Sequence, residues 1–429
     1  MTSTTLGASK PGLRTGNRAR PADGSFRLSR RLLDSPLASY YLLMGPTTIL
    51  LVFGLVMVLS ASSVTSFADS GSSFTVAKHQ ALWILIGVPA MWLGQRTPVR
   101  VLRLLGYPLL FASLALLAAL LVPGVGVRVS GAVRWIDLPG QFQLQPSEPA
   151  KLALVIWGAD LLTRKERSLT LARHLLVPLV PVTVVAAALV IKEPDLGTTI
   201  VLLLIMLALL WAAGAPTLLF AGLGLATGAI GGLVAIADPY RLQRLTSFTN
   251  PCGEKALSAG YQACQGLYAL SSGGWWGLGL GASREKFGYL PNQYTDYIFA
   301  IIGEELGLLG TLVVLALFGL LAYAGIRIAR RATDRFTQLA AAGITAWLIG
   351  QALVNLGAVV GLFPITGIPL PMVSFGGSAL VPTLFAIGIL AGAARREPGA
   401  ARALQARKAR RRMALRGRLS SLVPTGRQG

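Results

Sequence analysis

Apolar runs long enough to cross a lipid bilayer recur along most of this 429-residue chain. A membrane-spanning helix needs about 20 mostly apolar residues, because the hydrocarbon core holds no water to pair with an open backbone. The chain is 53% hydrophobic and only 13% charged, whereas an average soluble domain is roughly one quarter charged. This composition excludes a water-soluble enzyme and predicts an all-α polytopic membrane protein.

The apolar runs predict about ten transmembrane helices. They lie at 41–60, 81–93, 105–122, 149–162, 176–191, 198–213, 218–237, 297–326, 339–360 and 379–394. Together they form a membrane domain over 38–394, with basic tails at 1–37 and 395–429. Two long loops remain, at 123–147 and at 238–296 between the seventh and eighth spans. The second loop is too long to be a simple connector, which favours a functional role.

The net charge of +22 is concentrated at the two ends of the chain, with +5 in 1–37 and +10 in 395–429. The positive-inside rule places both tails in the cytoplasm and both long loops outside. Anionic membrane lipid would attract such tails, so their charge does not predict nucleic-acid binding. Cys252 and Cys264, the only cysteines, share the second outer loop and are predicted to form a disulfide, the alternative being two unpaired thiols.

Charged residues at the outer ends of spans are hypotheses for function, because burying charge in a membrane is costly. Glu148 and Lys151 lie three residues apart, on one helix face. They form either an ion pair that anchors the helix or a cationic site for an anionic substrate, with Glu148 orienting Lys151. Asp195 precedes the sixth span and is either its N-cap or part of a site.

Asp296 stands just before the eighth span, at the predicted outer surface. Partial desolvation raises the pKa of such a carboxylate and improves it as a general base, whereas the structural alternative is an N-cap. Glu304 and Glu305 lie about two turns deeper, so at least one of them is expected to face the bundle interior. Their alternatives are a buried structural hydrogen bond and a catalytic role.

Two glycine-rich segments are candidates for the lining of a site. The run at 273–281 lacks the βαβ context of a nucleotide fingerprint and better suits a loop that clasps a sugar or a lipid headgroup. The segment at 367–378 predicts a cavity near Ser374 and Ser378, or else a plain surface loop. The two histidines, His79 and His174, fall on opposite sides of the membrane and predict no joint metal site.

These motifs together resemble the SEDS family (shape, elongation, division and sporulation), bacterial glycosyltransferases that polymerise peptidoglycan. The resemblance rests on segments spread in order over nearly the whole membrane region. They are 131–136 (GAVRWI), 145–148 (QPSE) with Lys151, 194–199 (PDLGTT), 239–244 (PYRLQR), 260–262 (GYQ), 273–277 (GGWWG), 290–310 and 369–378 (PLPMVSFGGS). The end of the first span, 54–63, is more similar to the division branch of the family than to the elongation branch.

The resemblance implies ten spans, an outward cavity and lipid II as substrate. Asp296 matches the family's acid and would take the proton of the attacking sugar hydroxyl, while undecaprenyl pyrophosphate leaves. Arg134 and Lys151, with Arg241 and Arg244 as weaker candidates, would neutralise the pyrophosphate. Glu148, Asp195, Ser374 and Ser378 complete the expected substrate-binding set. A divalent cation, Mg²⁺ or Mn²⁺, is a further candidate for that task, although no motif specifies one.

The resemblance also implies partners and a location. The expected partners are a class B penicillin-binding protein transpeptidase and other divisome proteins, at the division septum. Three alternatives remain open at this point: a lipid II flippase, an elongation-type polymerase and a scaffold without activity. The position of Asp296 at an outer loop favours an enzyme, since a transporter needs charges along a path across the bilayer.

Overall fold

The computed structural model describes residues 35–129, 132–139, 142–166, 176–225, 250–253, 256–258 and 260–407, with positions 2, 228 and 409. Its helices are α1 (Ala38–Ser70), α2 (Thr75–Arg96), α3 (Val99–Ala119), α4 (Ser147–Arg164), α5 (Leu179–Lys192), α6 (Leu196–Ala213), α7 (Tyr261–Ser272), α8 (Ile298–Arg331), α9 (Arg335–Val359) and α10 (Leu380–Arg396). Three strands lie between α3 and α4. They are β1 (Val127–Val129), β2 (Ala132–Leu138) and β3 (Phe142–Leu144).

Among the described residues, helices occupy nine of the ten predicted spans and the first part of the other, which confirms a polytopic membrane protein. Among the described residues, α1, α2, α3, α6, α8, α9 and the stretch Gly377–Arg396 are long and apolar enough to cross a membrane. The helix α5 is shorter and apolar, and α4 carries several charges. The predicted seventh span, 218–237, is helical as far as residue 225, and most of the rest lies outside the described residues.

The charged helix α4 lies at the centre of the bundle. Fourteen of its eighteen residues are buried, against four of twenty-two in the lipid-facing α2. It packs against α3, α6 and α9, and these helices cover charges that would be costly in lipid. The fold therefore encloses the charges of α4 within protein.

The helix α8 is broken near its start, so the predicted eighth span is two helical pieces rather than one. Gly307 has φ 67° and ψ −165°, a backbone conformation that is essentially restricted to glycine. The loop that follows α7 supplies the missing hydrogen bonds: the Leu278 N–H donates to the Glu304 carbonyl and the Leu308 N–H donates to the Gly274 carbonyl, each at 2.9 Å. Residues Ile298 to Glu305 form a short, fully buried helix before the break.

The two outer loops contain structure that hydropathy does not predict. The strands β1, β2 and β3 form an antiparallel sheet in that order within 123–147. In the second loop, α7 is tied to the segment before it by the predicted Cys252–Cys264 disulfide, which is present with a Cα–Cα distance of 5.0 Å. Arg241, Arg244, His174 and most of the two tails lie outside the described residues.

Candidate functional site

A cavity of about 300 Å³ lies where β2, α2 and the segments around residues 296 and 367–377 meet. It is lined by His79, Trp83, Arg134, Trp135, Gln143, Gln145, Thr295, Asp296, Gly367, Pro369, Phe375, Gly376 and Gly377. Two predicted site residues, Asp296 and Arg134, therefore face the same space. The three aromatic walls and the side-chain amides suit a polar, ring-shaped group such as a sugar.

Asp296 lies in the cavity wall. The helix α8 begins at Ile298 with Tyr297 at the N-cap position, so Asp296 does not occupy the N-cap position that the structural alternative predicts. The backbone of Asp296 is held by Asn355 on α9, whose Nδ2 donates to the Asp296 carbonyl at 2.8 Å. The carboxylate is thus placed by a fixed backbone at the surface of a cavity.

Arg134 is oriented by the turn between α5 and α6. Its Nε donates to the Glu193 carbonyl at 3.1 Å and its Nη2 donates to the Pro194 carbonyl. These two bonds hold the guanidinium plane and direct Nη1 towards Gly367. A cation fixed in this way needs little reorganisation to receive an anion.

Asp296 and Arg134 face each other at Gly367, where φ is +71°. A Cβ atom at that position would lie 3.7 Å from both Arg134 Nη1 and Asp296 Oδ2. Those are ordinary contact distances, so the positive φ rather than lack of space favours glycine at this position. The arrangement places a proton acceptor and a fixed cation on one cavity, as acid–base chemistry beside a developing negative charge requires.

Asp195 lies behind the cavity, 2% exposed, and does cap its helix. Its Oδ1 accepts from the Thr198 N–H at 3.0 Å, and its Oδ2 accepts from Gln145 Nε2 at 3.4 Å. The Gln145 N–H in turn donates to Ser378 Oγ at 3.1 Å. Asp195 and Ser378 thus hold Gln145, which is itself a lining residue.

Lys151 and Glu148 form a sealed ion pair rather than part of the cavity lining. The Lys151 side chain is 0% exposed and its Nζ donates to Glu148 Oε1 and to Gln351 Oε1, each at 2.8 Å. Gln351 Nε2 then donates to the Pro369 carbonyl at 2.9 Å. The geometry favours the anchoring alternative, since the pair connects α4 to α9 and to a cavity wall. Contact of Lys151 with substrate stays a prediction.

The segment 367–378 lines the cavity, as the cavity alternative predicts, but through Gly367, Pro369 and 375–377. Ser374 is 3% exposed, and its Oγ accepts from the Leu370 N–H at 2.8 Å. Its carbonyl accepts from Gln80 on α2 at 3.3 Å. The hydroxyl of Ser374 therefore stabilises the turn from behind the wall.

Glu304 and Glu305 are both buried, and both hold the loop that follows α7. Glu304 accepts hydrogen bonds from the Ser283 hydroxyl and, at 2.8 Å, from the Arg284 N–H. Glu305 accepts from Ser60 Oγ at 2.7 Å and lies 3.5 Å from Lys286 Nζ. The structural alternative for these two acids agrees with this geometry.

Two functional features were missed by sequence reasoning. Asn355 and Gln351 lie four residues apart on α9 and hold the backbones of both cavity walls. Their polar side chains inside an apolar span were the sequence signal that could have identified them. Glu193, in the turn after α5, is 3% exposed, and among the described residues its Oε1 has no hydrogen-bond partner. Burial and the Asp195 carboxylate raise the pKa of Glu193 to about 8, and Arg134 opposes this shift.

Among the described residues, no group of three or more His, Cys, Asp or Glu side chains could hold a metal ion. Asp296 is the one carboxylate in the described cavity lining. A Mg²⁺ ion often binds through one or two carboxylates together with substrate phosphates, so the donor set fits a cation that arrives with its substrate.

Comparison with known proteins gives concordant matches. The family model described as a cell cycle protein, for FtsW, RodA and SpoVE, matches residues 41–398. The Mycobacterium tuberculosis protein named "Probable peptidoglycan glycosyltransferase FtsW" is 43% identical over 398 residues, covering 92% of this chain and 76% of that protein. Stage V sporulation protein E of Bacillus subtilis is 41% identical over 80% of this chain and 93% of its own length.

Solved structures share the fold. A chain from a study of how a peptidoglycan synthase complex coordinates polymerization and crosslinking aligns with a TM-score of 0.63 at 28% identity, over 81% of this chain and 97% of that one. The rod shape determining protein RodA of Thermus thermophilus aligns with a TM-score of 0.60 at 27% identity, over 83% and 97% of the two chains.

Proposed function

The chain belongs to the family of cell cycle proteins that contains FtsW, RodA and SpoVE, and from this membership and the cavity we propose that it is a peptidoglycan glycosyltransferase of septal wall synthesis. It is FtsW-like, since relatives of that name match at 37–43% identity. The observation that carries a mechanism is the placement of Asp296 and Arg134 on one cavity, on either side of Gly367. The substrate is lipid II, polymerised at the outer membrane face.

The reaction joins two lipid-linked sugars. A 4-hydroxyl oxygen of one sugar attacks the anomeric carbon of a lipid-linked strand, the new C–O bond forms, and the bond from that carbon to the pyrophosphate oxygen breaks. Asp296 accepts the hydroxyl proton as general base. Arg134, already fixed through Nε and Nη2, directs Nη1 at the charge that develops on the leaving undecaprenyl pyrophosphate.

A divalent cation, Mg²⁺ or Mn²⁺, is part of the proposal. Asp296 would hold it, with the Thr295 and Gln145 side chains as further oxygen donors in the lining. When bound, the cation would neutralise pyrophosphate charge. Arg134 supplies fixed positive charge in the same cavity.

The proposed topology places the cavity outside and both termini in the cytoplasm. This topology is supported by arginines at the helix ends on the side opposite the cavity. Among the described residues they include Arg96, Arg100, Arg331 and Arg396. The proposed partners are a class B penicillin-binding protein transpeptidase and other divisome proteins, because a structural relative comes from a synthase complex that couples polymerization to crosslinking. The proposed location is the division septum, and anionic lipid is the proposed partner of the basic tails.

The test is polymerisation of labelled lipid II by the purified protein with its transpeptidase partner. We expect glycan strands from the wild type and none from a folded Asp296→Ala variant. The matched control is Asp69→Ala, which removes an exposed carboxylate at the end of α1 and should leave the rate unchanged. Product from Asp296→Ala at the wild-type rate would exclude Asp296 as the base.

A further inference from the structure

A cluster of charged side chains lies near the end of α4, far from the cavity. It has no role in the proposed glycosyl transfer. The Asp160 side chain is 0% exposed, and its two oxygens accept hydrogen bonds from different arginines. Arg103 Nε on α3 donates to Oδ1, and Arg164 Nε donates to Oδ2 at 2.6 Å. The two arginine side chains are 36% and 59% exposed. One buried acid thus fixes two partly exposed bases beside each other.

The charges in this cluster do not cancel. One carboxylate between two guanidinium groups leaves a net charge of +1. Arg103 and Arg164 each use Nε to bind Asp160, and within the part of the chain that the structure describes their Nη atoms donate to no acceptor. A guanidinium fork with free N–H groups matches the oxygens of a phosphate.

Aromatic rings hold both guanidinium groups in place. The Arg103 guanidinium carbon lies 5.8 Å from the centroid of Phe336 on α9, and that of Arg164 lies 5.6 Å from the centroid of Tyr107 on α3. Contacts within about 6 Å are attractive and restrict the arginine rotamers. The two forks are therefore preorganised, which lowers the entropic cost of binding an anion.

The cluster lies at the edge of the membrane. Arg103 is in the second turn of α3, and the same helix presents Leu104 and Phe111, which are 74% and 78% exposed. Apolar side chains this exposed on a spanning helix face lipid. From Glu148 to Asp160 the axis of α4 rises by roughly 18 Å, so the cluster is near the opposite membrane face from the cavity.

We propose that Arg103 and Arg164, fixed by Asp160, form a binding site for a phosphate group, filled by an anionic phospholipid of the inner leaflet. The phosphate sits between the two forks, and the acyl chains run along the lipid-facing side of α3. A bound lipid would join α3, α4 and α9 at this face, since Phe336 of α9 supports Arg103. The location is distinct from the basic tails, which attract lipid through charge alone.

The test measures lipid retention by the full-length protein in detergent, using native mass spectrometry with phosphatidylglycerol and phosphatidylcholine of matched chain length. We expect retention of phosphatidylglycerol, and about tenfold weaker retention in Arg103→Gln and in Arg164→Gln. Each variant leaves one arginine to pair with the buried Asp160, so the fold should survive. The control is Arg100→Gln, which removes the same charge from an exposed position of the same helix and should leave affinity within about twofold.

A second arm replaces the lipid with inorganic phosphate and follows the melting temperature. If phosphate stabilises the wild type but not Arg103→Gln, this would support phosphate binding at the same site. It would also identify a soluble phosphate, rather than a lipid, as the source of the phosphate group. Equal retention of phosphatidylglycerol by the wild type and both folded variants would overturn the proposal. Equal losses in Arg100→Gln and Arg103→Gln would also overturn it, because they would indicate a diffuse basic surface.

Discussion

Asp296 and Glu305 lie on one short stretch of chain, yet their surroundings are opposite. Asp296 borders a cavity in which Arg134 Nη1 is nearby. Glu305 is 0% exposed, accepts hydrogen bonds from Ser60 and lies beside Lys286. A carboxylate that borders a cavity can exchange a proton with a ligand, whereas one that is fully buried in protein holds structure. Access to the cavity, rather than residue type, separates the two roles.

The largest expected effect follows from removing the Asp296 carboxylate, which lines the cavity. Asp296→Asn keeps the shape of the side chain but removes the proton acceptor, so lipid II polymerisation should fall at least about 100-fold. The melting temperature should stay near that of the wild type, since the Asp296 backbone remains bound to Asn355. Rate and melting temperature are measured on the same preparation. A variant with unchanged rate would place the base elsewhere.

Removing the buried Glu305 carboxylate should lower stability rather than activity. Glu305→Ala leaves Lys286, which is 4% exposed, without its carboxylate, and we expect a loss of about 3–5 kcal/mol in the free energy of unfolding. Unfolding in detergent by heat or denaturant measures it. The control is Glu166→Ala, because Glu166 is 58% exposed in its pair with Arg335 and should contribute little. Equal stability of the two variants would contradict the contrast.

The break in α8 is what turns Glu304 and Glu305 towards the loop. Gly307→Ala requires a side chain in a glycine-only conformation, and its Cβ would lie 2.4 Å from the Gly277 backbone nitrogen. We expect a destabilisation of about 1–3 kcal/mol. Limited proteolysis at the loop after α7 should accelerate in this variant. Protection equal to that of the wild type would show that the loop does not depend on the break.

The Glu193 carboxyl is buried, as that of Glu305 is, but one of its oxygens has no hydrogen-bond partner among the described residues. Because its pKa is raised to about 8, the folded state holds a proton that the unfolded state releases at lower pH. Stability should therefore fall as pH rises from about 5 to about 8, by at most about 1.4 kcal/mol per pH unit. Glu193→Gln should remove this slope in melting experiments. An identical slope in the variant would assign it to another group.

Much of the membrane architecture could be predicted from the sequence, because hydropathy reports burial in lipid directly. The small sheet at 127–144 could not, since two of its strands are only three residues long. The break at Gly307 was missed for a different reason: the span as a whole has a high mean hydropathy whether or not the helix continues through it. A hydropathy scan cannot see that a separate loop completes the hydrogen bonding there.

The candidate site was predictable where a charge stands beside an apolar run. Asp296 was predictable in this way, whereas Arg134 was expected only from the resemblance to the family. The two line one cavity, and Lys151 and Ser374 are enclosed behind it. Spacing along a helix shows that Glu148 and Lys151 can pair, but it does not show whether the pair faces a cavity or protein. That distinction depends on Gln351 of α9, which is distant in sequence.

Asn355 has a consequence for how the cavity walls respond to changes in the surrounding bilayer. Its single amide nitrogen donates to the carbonyls of Asp296 and Ile368, each at 2.8 Å, so both sides of the cavity mouth are braced to one atom. Bilayers differ in thickness, and helices tilt to match them. Walls carried by separate helices would drift apart as the tilt changed. Because one amide nitrogen holds both segments, a change in the tilt of α9 moves these two segments together.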